Sequence, residues 1–170
     1  MRTPVTPAPE VRAATRLDLP QIGALAALLV QTHHAFDPLR FFAATASTPR
    51  HYASFLGSQI DEPEAVFLVA VTGERVIGYA YGVLEGQDYM ALRGPAGVLH
   101  DLVVDPDCRG RGVGRLLMNA ALDQLAAHGA PRVVLFTAAR NSEAQRLFAR
   151  LGFRETMIEM TREVPDEPAR

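Results

Sequence analysis

Apolar positions along the chain change period several times, and each change marks an element. Residues 11–15 read as a first strand. Asp18 then stands as a helix cap with Pro20 close behind it, and Ile22, Leu25, Leu28 and Leu29 make an apolar stripe at helical spacing. The stripe fades at His33-His34, and residues 35–47 keep no clean period. Thr48-Pro49 opens a second helix with Tyr52, Phe55, Leu56 and Ile60 on one face. Residues 66–71 and 76–84 flank a Thr72-Gly73-Glu74 turn and predict a hairpin. A long connection, 85–97, leads to the apolar run 98–104, a helix opening at Arg115, a second apolar run at 133–136 and a helix after Asn141. Residues 156–163 alternate and are expected to form a last strand. The order β-α-α-β-β-β-α-β-α-β predicts one α/β (α+β) domain with helices on both faces of a sheet.

Length and composition narrow this. At 170 residues the chain can bury one sizeable core. Three prolines in 1–10 and two in 164–170 mark mobile tails, leaving 11–163 as the domain. A net charge of −2 argues against a nucleic-acid partner. The longest apolar run, 22–30, is too short to span a bilayer, and the N-terminus does not resemble a signal peptide. Cys108 is the only cysteine, so no intrachain disulfide forms and a reducing compartment is implied. The expected location is the cytoplasm.

Candidate chemistry concentrates between the two late apolar runs. Arg109-Gly110-Arg111-Gly112-Val113-Gly114-Arg115 follows a strand and opens a helix. The first N–H groups of a helix have no intrahelical partner, and the helix dipole adds partial positive charge there. Glycines let a ligand approach the backbone, and arginines add full charge, so the stretch suits a pyrophosphate. Glycine spacing of this kind also occurs in dinucleotide-binding turns. Such a turn should be followed about 20 residues later by an acidic residue ending a strand. Here the next strand ends Phe136-Thr137.

Strand, Asp105-Pro106, Arg109 to Gly114, helix, strand, then Asn141, Ala144, Phe148, Gly152 and Phe153 at fixed spacing, resembles the GNAT superfamily of acetyl-CoA-dependent N-acetyltransferases. The resemblance is sharp over 98–153. It implies a mixed, mostly antiparallel central sheet of six to seven strands, splayed at the two motif strands. Acetyl-CoA is the implied co-substrate. Its pyrophosphate would lie on Arg109, Gly110, Arg111, Gly112, Val113, Gly114 and Arg115, and its pantetheine arm along the backbone of Leu102, Val103 and Val104. Asn141 matches a polar ligand to that arm, and it is equally placed to cap the following helix. The implied acceptor is a small-molecule or peptide amine, with no metal and no membrane; a homodimer is compatible with the resemblance.

The resemblance further implies direct attack of an amine on the thioester in a ternary complex. Alternation along the motif strand puts Val98, His100, Leu102 and Val104 on one face and Asp101 on the other. His100 is the candidate base, working through water, and its alternative is a buried histidine bonded to backbone. Asp101 is the reserve. Many members carry a tyrosine where this chain has Phe148, and its hydroxyl protonates the departing thiolate. Phenylalanine keeps the packing and loses the donor, so Tyr89 or solvent must replace it. That loss also admits a different reading, a non-catalytic acyl-CoA-binding sensor. Acceptor-pocket candidates are His33, His34, Phe36, Asp37, Arg40, Glu85, Asp88, Tyr89 and Arg93.

Overall fold

The structure, a computed structural model, describes residues 7–164. Five strands form one sheet in the order of the chain: β1 (Glu10–Ala13), β2 (Ala65–Thr72), β3 (Arg75–Glu85), β4 (Ala96–Val104) and β5 (Val133–Leu135). The first four pair antiparallel with one another, and β5 runs parallel to β4. Helices α1 (Leu19–Phe36) and α2 (Thr48–Gln59) precede the hairpin, α3 (Val113–Ala127) crosses between β4 and β5, and α4 (Ser142–Arg150) follows β5.

Period-two alternation in β2 and β3 sends successive side chains to opposite faces, and both faces are covered. Phe67, Val69, Tyr79, Tyr81 and Val103 pack with Ile22, Leu25, Ala26 and Leu56 from α1 and α2. Val66, Leu68, Ala80 and Leu99 pack with Leu117, Met118, Ala121 and Leu125 of α3 and Phe148 of α4. This is why 65–72 reads as a continuous apolar run.

Two locks hold the entry into α1. Arg12 of β1 grips Asp18 with two bonds of 2.8 Å, and the backbone N–H and hydroxyl of Thr15 both donate to Asp18 Oδ2. The Arg12 guanidinium is the main reason the buried Asp18 carboxyl is held down at about 2. At the other end α1 runs past His33-His34 to Phe36, where Arg140 donates to the last-turn carbonyl at 2.7 Å. The His33 and His34 rings bond the carbonyls of Leu29 and Phe41, so the helix extends through the region where its apolar stripe fades.

The expected six to seven strands are five among the described residues. The missing strand is 156–163, which follows α4 as irregular chain with Met157, Ile158 and Met160 exposed. Alternation shows what a segment could bury, but a strand needs an edge to pair with, and β5 is only three residues long. An ion pair between Glu159 and Arg40 ties this segment to the turn after α1. Of the expected N-terminal tail, Glu10 belongs to β1 and residues 7–9 line a groove beside Arg111; residues 1–6 and 165–170 lie outside the described residues.

Candidate active site

β4 ends at Val104, and a single 3-10 turn, Pro106–Cys108, leads into the glycine stretch. Gly110 and Gly112 have φ of +71° and +82°, the left-handed region where a side chain is strained. A Cβ added at either would meet nothing within 4 Å, so the protein itself does not crowd this surface. Gly112 stands at the N-cap of α3, and no side chain caps that helix. Leu116 N–H is the first to bond back, to the Gly112 carbonyl at 3.0 Å, which leaves the N–H groups of Val113, Gly114 and Arg115 without an intrahelical acceptor. An open surface of donors at a helix N-terminus is suited to a phosphate oxygen.

The arginines divide. Arg109 folds back and donates through Nε to the Val104 carbonyl at 3.2 Å, tying the loop to the strand end. Arg111 lines a separate groove of about 430 Å³ together with residues 7–9 and Cys108. Arg115 is exposed on the first turn of α3. Asn141 caps α4, accepting from Ala144 N–H at 3.2 Å.

β4 and β5 pair over three residues only, Gly97 to Leu99 against Val133 to Leu135. From His100 to Val104 the β5 side of β4 has no strand partner, so the two strands part. On its other side β4 carries a bulge: Tyr81 pairs with Asp101 and Gly82 with Leu99, leaving His100 as the extra residue. A bulge of this kind breaks the alternation of the bulged strand. Leu102 and Val104 therefore pack toward α3, while Asp101 and Val103 turn toward α1 and α2. His100 and Asp101 open on the same pocket, and the alternating faces expected from the sequence do not hold across residue 100. Gly82 helps permit this close approach, since a Cβ there would come within 2.9 Å of the Val98 carbonyl.

The pocket encloses about 450 Å³ between β4, β3 and α2 and is lined by His51, Tyr52, Phe55, Tyr81, His100 and Asp101. His100 is exposed, which rules out the buried-histidine reading. Its ring stacks on Tyr81 at 5.6 Å, and Nε2 lies 3.1 Å from Glu85 Oε1. The other Glu85 oxygen accepts from Arg93 at 2.7 Å. A carboxylate accepts here, so Nε2 is the donor of this contact, and in the neutral ring Nδ1 is then the nitrogen with the free lone pair. Asp101 is the buried partner. Tyr79 donates to its Oδ2 at 2.9 Å, and burial pushes the Asp101 carboxyl up from its ordinary value. Burial, followed by the charge of Asp101, raises the Tyr52 hydroxyl to about 12, so it stays protonated.

Among the acceptor candidates named from the sequence, Glu85 and Arg93 reach this pocket through His100, whereas Asp88 caps its own turn by accepting from Met90 and Ala91. Tyr89 is exposed on that turn. His51, Tyr52, Phe55 and Tyr81 were not among the candidates. Tyr52 and Phe55 were visible as one helix face, and that face continues from core into pocket. Phe148 is buried and meets Phe153 edge-on at 6.0 Å. Among the described residues no cluster could hold a metal ion, and no helix is long and apolar enough to cross a membrane.

A sequence profile described as the Acetyltransferase (GNAT) family matches residues 29–153, from α1 through the end of α4. The chain belongs to that family. This chain is similar to a mycothiol acetyltransferase of Clavibacter michiganensis, 32% identical over 124 residues, which is 71% of this chain and 38% of that relative. It spans about a third of the length of the mycothiol acetyltransferases it matches. Its fold is shared with the BH1408 protein of Bacillus halodurans (TM-score 0.75, 23% identity, 92% of this chain and 99% of that one). It is also shared with an aminoglycoside N-acetyltransferase solved in complex with CoA (TM-score 0.72, 17% identity, 96% and 99%).

Proposed function

We propose that this acetyltransferase moves an acetyl group from acetyl-CoA to a primary amine of a small molecule or peptide, by direct attack within a ternary complex. The observation that carries the reading is the bulge at His100, which turns two titratable side chains into one pocket on the strand that leads to the glycine loop.

Residues Gly110 to Arg115 would hold the pyrophosphate, with backbone N–H groups of the uncapped α3 as donors. The unpaired side of Leu102, Val103 and Val104 offers backbone groups to the two amides of the pantetheine arm, as an added strand would use them. Asn141 would stand beside that arm while capping α4. Acetyl-CoA supplies the acyl group already activated as a thioester. The chain's own work is then to deprotonate the amine, polarise the carbonyl and keep the acceptor in place.

His100 takes the ammonium proton at Nδ1, directly or through water, and Glu85 stabilises the imidazolium that results by accepting from Nε2–H. Asp101 is the second proton acceptor, and its burial makes it a stronger base than a solvated carboxylate. A backbone N–H of β4 polarises the carbonyl. Phe148 offers no proton, so the thiolate takes one from solvent.

Thiol release from acetyl-CoA across a panel of amines tests the reading, with calorimetry reporting acetyl-CoA binding. Amine-dependent thiol release is expected. Tight binding without thiol release from any amine would leave the sensor reading, which the absent hydroxyl at Phe148 favours.

A further inference from the structure

The pocket that the transferase reading assigns to the acceptor has a chemistry of its own. Its walls are aromatic. Phe55 meets Tyr81 edge-on at 6.4 Å, Tyr81 stacks on His100 at 5.6 Å, and Tyr52 closes the α2 side. Phe55 is 56% exposed, a large apolar surface facing an opening rather than the core. Aromatic faces and edges favour a flat apolar body.

The polar groups point the same way. Tyr81 spends its hydroxyl on Gln59 Oε1 at 2.9 Å, and Tyr79 spends its own on Asp101 Oδ2 at 2.9 Å. Asp101 Oδ1 has no partner among the described residues, yet no buried side-chain oxygen there is left unsatisfied, so this atom is open to the pocket. The guanidinium beside the pocket, Arg93, is mostly buried and held by Glu85 at 2.7 Å. The opening therefore offers a carboxylate and an imidazole to a cation, with the Tyr52 hydroxyl and the His51 ring as its other polar groups. Among the described residues its lining includes no guanidinium.

We infer that the acceptor is a primary amine on a short arm attached to a flat apolar or aromatic body, with its ammonium on Asp101 and His100 and its body against Tyr52, Phe55 and Tyr81. Amino sugars would set several hydroxyls against mostly aromatic walls with few polar partners, chiefly the Tyr52 hydroxyl and the His51 ring, and acidic amino acids would bring a carboxylate to Asp101 and Glu85. An unpaired buried polar group or a like-charge contact discriminates more strongly than a missing methylene does.

This inference rests on the transferase reading, and one assay separates the two. The full chain is given acetyl-CoA with 2-phenylethylamine, glucosamine or glutamate, and thiol release is followed. The expected kcat/KM for 2-phenylethylamine exceeds that for either of the others by at least about tenfold. Phe55→Ala should raise KM for 2-phenylethylamine about tenfold and leave KM for acetyl-CoA unchanged. Preference for glucosamine or glutamate, or a Phe55→Ala enzyme indistinguishable from the parent, overturns the acceptor class while the transferase reading stands. Absence of thiol release with every amine overturns both.

Discussion

His100 and Asp101 follow one another on β4, yet both side chains line the same pocket, because β4 carries one residue more than β3 between the pairs Gly82–Leu99 and Tyr81–Asp101. The two are not equivalent. His100 is exposed and bonded to Glu85, whereas Asp101 is buried and bonded to Tyr79. One group is open to water, and the other sits in a poorly solvated place. A strict alternation would have buried one of them on the far face.

If His100 accepts the amine proton, His100→Gln should lower turnover by roughly ten- to a thousandfold with KM for acetyl-CoA little changed. Its ring is exposed, so thermal stability should barely move. Glu85→Gln should give a smaller loss, since the imidazole keeps its lone pair and loses only the carboxylate behind it. Equal falls in stability and activity for His100→Gln would make the residue structural.

Asp101 predicts a trade between stability and activity. Burial raises its carboxyl above 3.8, so the folded chain binds that proton more tightly than the unfolded chain does. Stability contributed by the protonated form is present below the unfolded value and is lost as pH rises through the folded one. Asp101→Asn removes the ionisation and keeps an acceptor for Tyr79. It should raise Tm at pH 7, show little gain below pH 3.8, and lower turnover. The same Tm gain at both pH values would contradict the burial argument.

The glycine loop can be separated from its backbone strain by a paired control. Gly112 and Gly73 both have positive φ, +82° and +60°, and neither has a neighbour within 4 Å of an added Cβ. Alanine at either should cost about 1–2 kcal/mol of stability. Only Gly112→Ala should also weaken acetyl-CoA binding, by more than about tenfold, because close backbone approach is lost there. Calorimetry on the two folded variants decides it, and equal affinities would remove the loop from the site.

Asp18 should carry acid sensitivity. Its carboxyl falls from 3.8 to about 2, first through the Arg12 bond, so it contributes stability above pH 3.8 that disappears as pH drops toward 2. The shift corresponds to about 2 kcal/mol. Asp18→Asn should lower Tm at pH 7 by several degrees and flatten the decline between pH 4 and 2.

Most elements were legible because their patterns were local. The hairpin turn at Gly73, the Thr48-Pro49 helix start and the Asn141 cap each follow from neighbouring residues, and all three formed. The glycine turn was legible for the same reason, since strand, glycines and helix lie within twenty residues. The bulge was not, because it arises from how β4 meets β3 and leaves no mark in the β4 sequence. Hence the expected faces of His100 and Asp101 were wrong, and Tyr81, which sits opposite the bulge, was missed. Arg140, just before α4, has as its partner the last carbonyl of α1, far off in sequence, which no local pattern marks. The strand at 156–163 failed for the complementary reason, since its pattern was right but the edge strand β5 is only three residues long.

Phe148 tests how far a family pattern can be restored. From the sequence, Phe148→Tyr looked able to return a proton donor to the departing thiolate. In the fold this ring is only 8% exposed and sits in the cluster of Leu117, Met118 and Leu125, with Phe153 against its edge. A hydroxyl placed there must reach water or lose its hydrogen bonds, and an unsatisfied buried hydroxyl costs about 1–3 kcal/mol. Phe148→Tyr should therefore lower Tm by several degrees and leave turnover unchanged or reduced. The opposite result is readable. An unchanged Tm with faster turnover, most visible at high pH where solvent donates poorly, would place the new hydroxyl in the gap where β4 and β5 part. The thiolate would then stand beside residue 148, and proton delivery would limit the parent enzyme.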